Sequence, residues 1–149
     1  RIPYLVRWPG KVKASSKSDE IICLTDLMAT CAAITGKQLP ANAGEDSYNI
    51  LPAMLGEEQS GSIREATVHH SINGSFAIRR GKWKLELCPG SGGWSHPKPG
   101  KAKELPPVQL YDLDADIGET NNVQDKHPEI VKELTALLEK YKRDGRSRK

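Results

Sequence analysis

The sequence predicts an α+β fold: a small four-stranded antiparallel sheet packed by a C-terminal helix. Three observations carry this. Residues 82–87 alternate charged and apolar side chains, the period-two pattern of a half-buried strand. Asn73-Gly74 sits between two β-rich runs, the strongest short hairpin signal. Ile130, Val131, Leu134, Leu137, Leu138 and Tyr141 form one helical stripe behind Pro128, a residue suited to a first helical turn.

In chain order, Ile2 to Trp8 reads as a strand that stops at Pro9-Gly10. Lys11 to Lys17 is a polar loop, and Glu20 to Leu24 a short strand. Thr25 or Asp26 is placed to N-cap a helix over 27–35, with Leu27, Met28, Cys31 and Ile34 on one face and Gly36 at its end. Asn49 to Leu55 forms one or two helical turns before Gly56. The meander then runs through strands 66–70, 75–79, 82–87 and 108–112. The terminal helix, 128–143, covers one face of the sheet, which spans roughly 65–113. Cys88 to Pro107 is a Gly/Pro/Lys-rich loop, long enough to be functional in its own right.

Composition narrows the function. The 149 residues are 37% hydrophobic with a formal net charge of +3, enough for one modest core. Six of the 22 basic residues fall in the last ten positions, which reads as a solvated, frayed terminus. With only Tyr141 among them, stacking on bases has no support, so no nucleic-acid partner is expected. No apolar run approaches a membrane span, so no membrane partner is expected. Three cysteines, with no CxxC pair, give neither a closed disulfide framework nor a zinc site.

Several patterns invite chemistry. Asp112, Asp114 and Asp116 suggest a calcium loop, but an EF-hand needs Gly and Glu where Ile117 and Val123 stand, so turn chemistry is the better reading. His69 and His70 end a strand; as neighbours they point to opposite faces and are poorly placed to share a metal. Ser91 or Ser95 beside His96 lacks the Gly-x-Ser-x-Gly elbow of a hydrolase. The loop 89–96 reads equally as a mobile surface loop or as a substrate-contact loop. Arg64, Arg79, Arg80, Lys82 and Lys84 cluster around the meander, where they either focus a field on an anionic substrate or simply solvate the sheet.

Four segments together carry a family resemblance: residues 1–10; Asp26-Leu27-Met28-Ala29-Thr30 with Ile34-Thr35-Gly36 and Leu39-Pro40; Phe76 to Leu85; and Leu110-Tyr111-Asp112-Leu113 with Asp116, Glu119 and Asn121 or Asn122. Their order and spacing resemble the C-terminal region of a sulfatase, of the arylsulfatase A-like family in the alkaline-phosphatase-like superfamily. Ala29 stands where that family usually has proline. The resemblance implies that residues 1–60 end the main sulfatase α/β domain, as strand, loop and helix. Residues 61–149 would be the C-terminal subdomain.

It further implies a parent that hydrolyses sulfate esters, using formylglycine and calcium. The formylglycine motif needs proline or alanine two positions after its cysteine and arginine four after. Cys88 is followed there by Gly90 and Gly92. No catalytic residue, metal ligand or cofactor is therefore assigned in this chain, which alone is expected to be inactive. By resemblance His96, ahead of Pro106-Pro107-Val108-Gln109-Leu110-Tyr111-Asp112-Leu113, contacts substrate, with His69 and His70 ranked below it. An extracytoplasmic location follows from family habit. Severed from the larger domain, the strand at 2–8 would have an open edge, which predicts self-association. The alternatives are a non-catalytic binding module and a piece of a related phosphodiesterase.

Overall fold

The computed structural model describes residues 2–95, 102 and 104–148. These fall into two compact units, divided after Glu65 and again after Gly145, so that the last residues belong with the first unit.

The second unit is the expected meander. Its strands are β1 (Thr67–His70), β2 (Phe76–Arg80), β3 (Trp83–Glu86) and β4 (Gln109–Asp112), antiparallel in that order. Register pairs Val68 with Ile78, Ile78 with Leu85, and Leu85 with Leu110. One face therefore collects Ala66, Ile78, Leu85 and Leu110. These residues are buried against Leu134, Leu138 and Tyr141 of α3 (Pro128–Asp144). The helix lies there because its apolar stripe matches the apolar face of the sheet. It stops at Gly145, whose φ of 66° a side chain would resist. The free edge of β4 is blunted: Asn122 Oδ1 accepts the Leu110 N–H at 3.0 Å, and Val123 N–H reaches the Leu110 carbonyl at 2.9 Å.

The first unit holds α1 (Leu27–Ile34) and α2 (Leu51–Leu55). Two expected strands do not form. Residues 2–8 make no ladder, and 20–23 lead into a 3-10 turn at Leu24–Asp26. β-propensity needs a neighbouring strand to be realised, and none pairs with these segments among the described residues. Ile2 and Leu5 are 66% and 92% exposed.

The helix start also differs from expectation. Neither Thr25 nor Asp26 caps α1 with its side chain. Ser47 Oγ accepts the Ala29 N–H at 2.8 Å instead. Asp26 is turned inward. Its carboxylate accepts the N–H groups of Cys23 (2.7 Å) and Tyr48 (3.0 Å) and pairs with the Arg64 guanidinium, which lies over the Tyr48 ring.

The basic terminus is not frayed. Arg146 donates to the Ala41 carbonyl, Ser147 N–H to Asp46 (2.8 Å) and Arg148 to the Ala43 carbonyl (2.9 Å). Two backbone carbonyls and the Asp46 carboxylate of the 40–46 loop meet these donors, a relation that composition cannot reveal.

Candidate functional site

The period of the strands leaves a second, polar face on the sheet, turned away from α3. It carries Thr67 and His69 on β1, Arg79 on β2, Lys84 and Glu86 on β3, and Gln109 and Tyr111 on β4. One end of this face is closed by the loop after β3. Gln109 Nε2 donates to the carbonyls of Cys88 and Gly90, both at 2.7 Å, while its Oε1 accepts the Tyr111 hydroxyl at 2.8 Å. Gly92, at φ +60°, presses on the β1–β2 turn: a Cβ there would lie 2.9 Å from Cys88 Sγ and 3.3 Å from Ser71 Oγ. Ser91 Oγ donates to the Ser95 carbonyl at 2.7 Å. The first half of the long loop is thus anchored.

The charges of this face, and the other members of the basic cluster, are largely spent on carboxylates. Lys84 bridges Glu86 (2.6 Å) and Glu119 (2.5 Å). Burial would lower its pKa, but the hydrogen bonds to Glu119 and Glu86 outweigh that and raise it. Burial, reinforced by the Glu86, Glu119 and Asp116 carboxylates, pushes the Tyr111 phenol up to about 12. Lys82 holds Asp112 at 2.7 Å, and on the helix side of the sheet Arg80 holds Glu133 of α3 at 2.7 Å. With Arg64 on Asp26, four members of the basic cluster pair with carboxylates, and Arg79 Nε donates to the Gly81 carbonyl. Field focusing by free cations is therefore not what the cluster provides.

The carboxylates of Asp112 and Asp116 are likewise engaged in turns. Asp112 Oδ1 accepts the Asp114 N–H, and Asp116 accepts the N–H groups of Thr120 and Asn121. Among the described residues no three His, Cys, Asp or Glu side chains gather to hold a metal. Cys88 does not fit a formylglycine precursor either: burial raises its thiol pKa, and its sulfur faces the Gly90 carbonyl. No step through either group is derived from these residues.

The structure separates the two adjacent histidines. His69 shares the polar face, with Nε2 3.4 Å from Thr67 Oγ1. His70 lies on the helix side at the strand end, edge-on to Phe76 with ring centroids 6.1 Å apart. His96 lies outside the described residues. The sequence reading missed Gln109, Tyr111 and the exposed Trp94. Alternation along β4 places Gln109 and Tyr111 opposite Leu110, and that signal was available. In the first unit, an open groove of about 450 Å³ carries Asp19, Glu20, Glu57 and Glu58 against Lys17, the wrong charge for an anionic substrate.

This geometry can be set beside known proteins. No family model matches the chain. It is 39% identical over 145 residues to an N-acetylgalactosamine-6-O-sulfatase of Bacteroides thetaiotaomicron, covering 95% of this chain and 27% of that protein. Against arylsulfatase A of Bos taurus it is 32% identical over 146 residues, covering 89% and 28%. A solved structure from work on glycosaminoglycan metabolism by Bacteroides thetaiotaomicron superposes with a TM-score of 0.72 at 38% identity, covering 91% of this chain and 28% of that one. The chain thus spans little more than a quarter of the length of these relatives. With sheet, helix and sequence agreeing along nearly all its residues, the chain belongs to the sulfatase family and carries its C-terminal region.

Proposed function

We propose that this region serves a sulfuric ester hydrolase acting on a sulfated saccharide, as a scaffold and as part of the wall of the substrate pocket. The observation that carries this is the polar face of the sheet, capped at one end by the loop pinned to Gln109. A sheet buried on one side by a helix gives that face a rigid footing, which a positioned contact requires. The likeness to an N-acetylgalactosamine-6-O-sulfatase supports a saccharide over a simple aryl ester. Formylglycine and calcium, implied by the family, would come from the part of a sulfatase beyond these 149 residues. Residues 1–60 would complete its α/β domain, and 61–149 would form its C-terminal subdomain. Its location would be extracytoplasmic. Among the described residues no helix is long and apolar enough to cross a membrane.

Within the wall, His96 is the first candidate contact and His69 the second; His70, on the helix side, ranks last. The test is kinetic, in a full-length sulfatase carrying this region. His96→Ala and His69→Ala should each raise KM or lower kcat for a sulfated saccharide, while His70→Ala leaves both unchanged. Wild-type kinetics in both of the first two variants would remove the pocket-wall role.

A further inference from the structure

We propose that Trp94 is a stacking platform for a sugar ring of the ligand, a contact that recognises the saccharide rather than its sulfate. The proposal rests on the sulfate-ester reading above and deepens it. Trp94 is 81% exposed, whereas tryptophan is on average a highly buried residue. It is displayed by a fixed turn. The Ser91 hydroxyl bonds the Ser95 carbonyl across it, Gly93 N–H donates to Ser91 Oγ at 3.2 Å, and Gln109 anchors the preceding carbonyls. Holding an aromatic side chain in place before binding removes part of the ordering cost.

The surroundings favour a sugar over a protein partner. Its neighbours in sequence among the described residues are Ser91, Gly92, Gly93 and Ser95, none of them large or apolar. A protein interface needs about 1,000 Å² with an apolar centre, and one indole flanked in sequence by glycine and serine does not by itself supply one. A pyranose ring fits better. Its C–H face matches the flat indole, and its hydroxyls meet the indole N–H and nearby serines. The contact is indifferent to charge, so it complements a sulfate site without duplicating it.

The test uses the 149-residue chain labelled with nitrogen-15. Its three tryptophans give three indole N–H resonances, and Trp94→Ala identifies the one from Trp94. The chain is titrated with a disaccharide containing N-acetylgalactosamine 6-sulfate, with the unsulfated disaccharide, and with inorganic sulfate. Both disaccharides should move the Trp94 signal, and inorganic sulfate should leave it still. Trp94→Ala should weaken disaccharide binding about tenfold and Trp94→Phe less than about threefold, as expected for loss or retention of one aromatic face. Exposure at this position keeps both variants folded, which circular dichroism checks. Saccharide shifts elsewhere with a still Trp94 signal would overturn the platform and leave the sulfate-ester reading standing. Movement of no resonance with either disaccharide would overturn the platform and count against that reading as well.

Discussion

Replacing Asp26 tests how the first unit is held. The carboxylate is fully buried and answers three donors: the Cys23 and Tyr48 N–H groups and the Arg64 guanidinium. Arg64 is itself 3% exposed at its side chain, and its Nε has no hydrogen-bond partner among the described residues. Asp26→Ala therefore strands a buried cation with little beyond the Tyr48 ring. Breaking a buried pair from one side costs about 3–5 kcal/mol, and the two N–H groups left unmet place this case at the upper end. Arg64→Met is milder, about 1–3 kcal/mol, because the remaining carboxylate keeps two N–H donors and the Met stem still covers Tyr48. The pair should then couple strongly. Asp26→Ala in an Arg64→Met background should cost well under its single-variant value. Urea unfolding, with hydrogen exchange resolved by segment, measures this. The loss should appear in residues 20–65, with α3 still protected. An Asp26→Ala cost below about 1 kcal/mol, or strict additivity with Arg64→Met, would refute the reasoning.

Two further outcomes follow from the second unit. Tyr111 ionises near 10 in an unfolded chain and at about 12 in the fold. The folded state keeps a proton that the unfolded state gives up, so this stability is intact below pH 10 and is lost as pH rises towards 12. Lys84, also raised, adds a loss in the same direction above its ordinary 10.5. Tyr111→Phe should flatten the alkaline decline while forfeiting the Gln109 bond. Phenolate absorbance should show one of the four tyrosines titrating late, and all four rising together would contradict the burial argument. Gly92→Ala should destabilise by about 1–2 kcal/mol through its left-handed backbone alone, with the Cys88 Sγ contact adding to that. Thermal unfolding measures the cost, and a neutral result would mean the loop is not pressed on the β1–β2 turn.

What could be read from the sequence was whatever is governed by local periodicity. Residues 82–87 alternate and form β3, Asn73-Gly74 turns with Gly74 at φ +79°, and the apolar stripe of 130–141 finds the sheet. What escaped depends on partners remote in the chain. Ile2 to Trp8 has strand propensity but no partner. Ser47 caps a helix that begins twenty residues earlier. The tail at 146–148 is fixed by donors meeting carbonyls about a hundred residues away. The histidine pair lies between these cases: alternation put the two side chains on opposite faces, but only the register showed which face is polar.

The pairing of the basic residues changes how the candidate site must work. Five cations grouped along the sequence suggest attraction at a distance, yet four are matched to carboxylates. Their fields largely cancel beyond the pair, and salt screens the remainder within about 10 Å at 0.1 M. These five residues therefore give the region little long-range pull on an anion. What the region offers is position: a helix-backed sheet, a loop tied to one glutamine amide, and an exposed indole. Contacts of that kind act at van der Waals and hydrogen-bond range and depend on rigidity. Glu86 of the polar face and Glu119 of its adjoining loop are spent on clamping Lys84 within the fold.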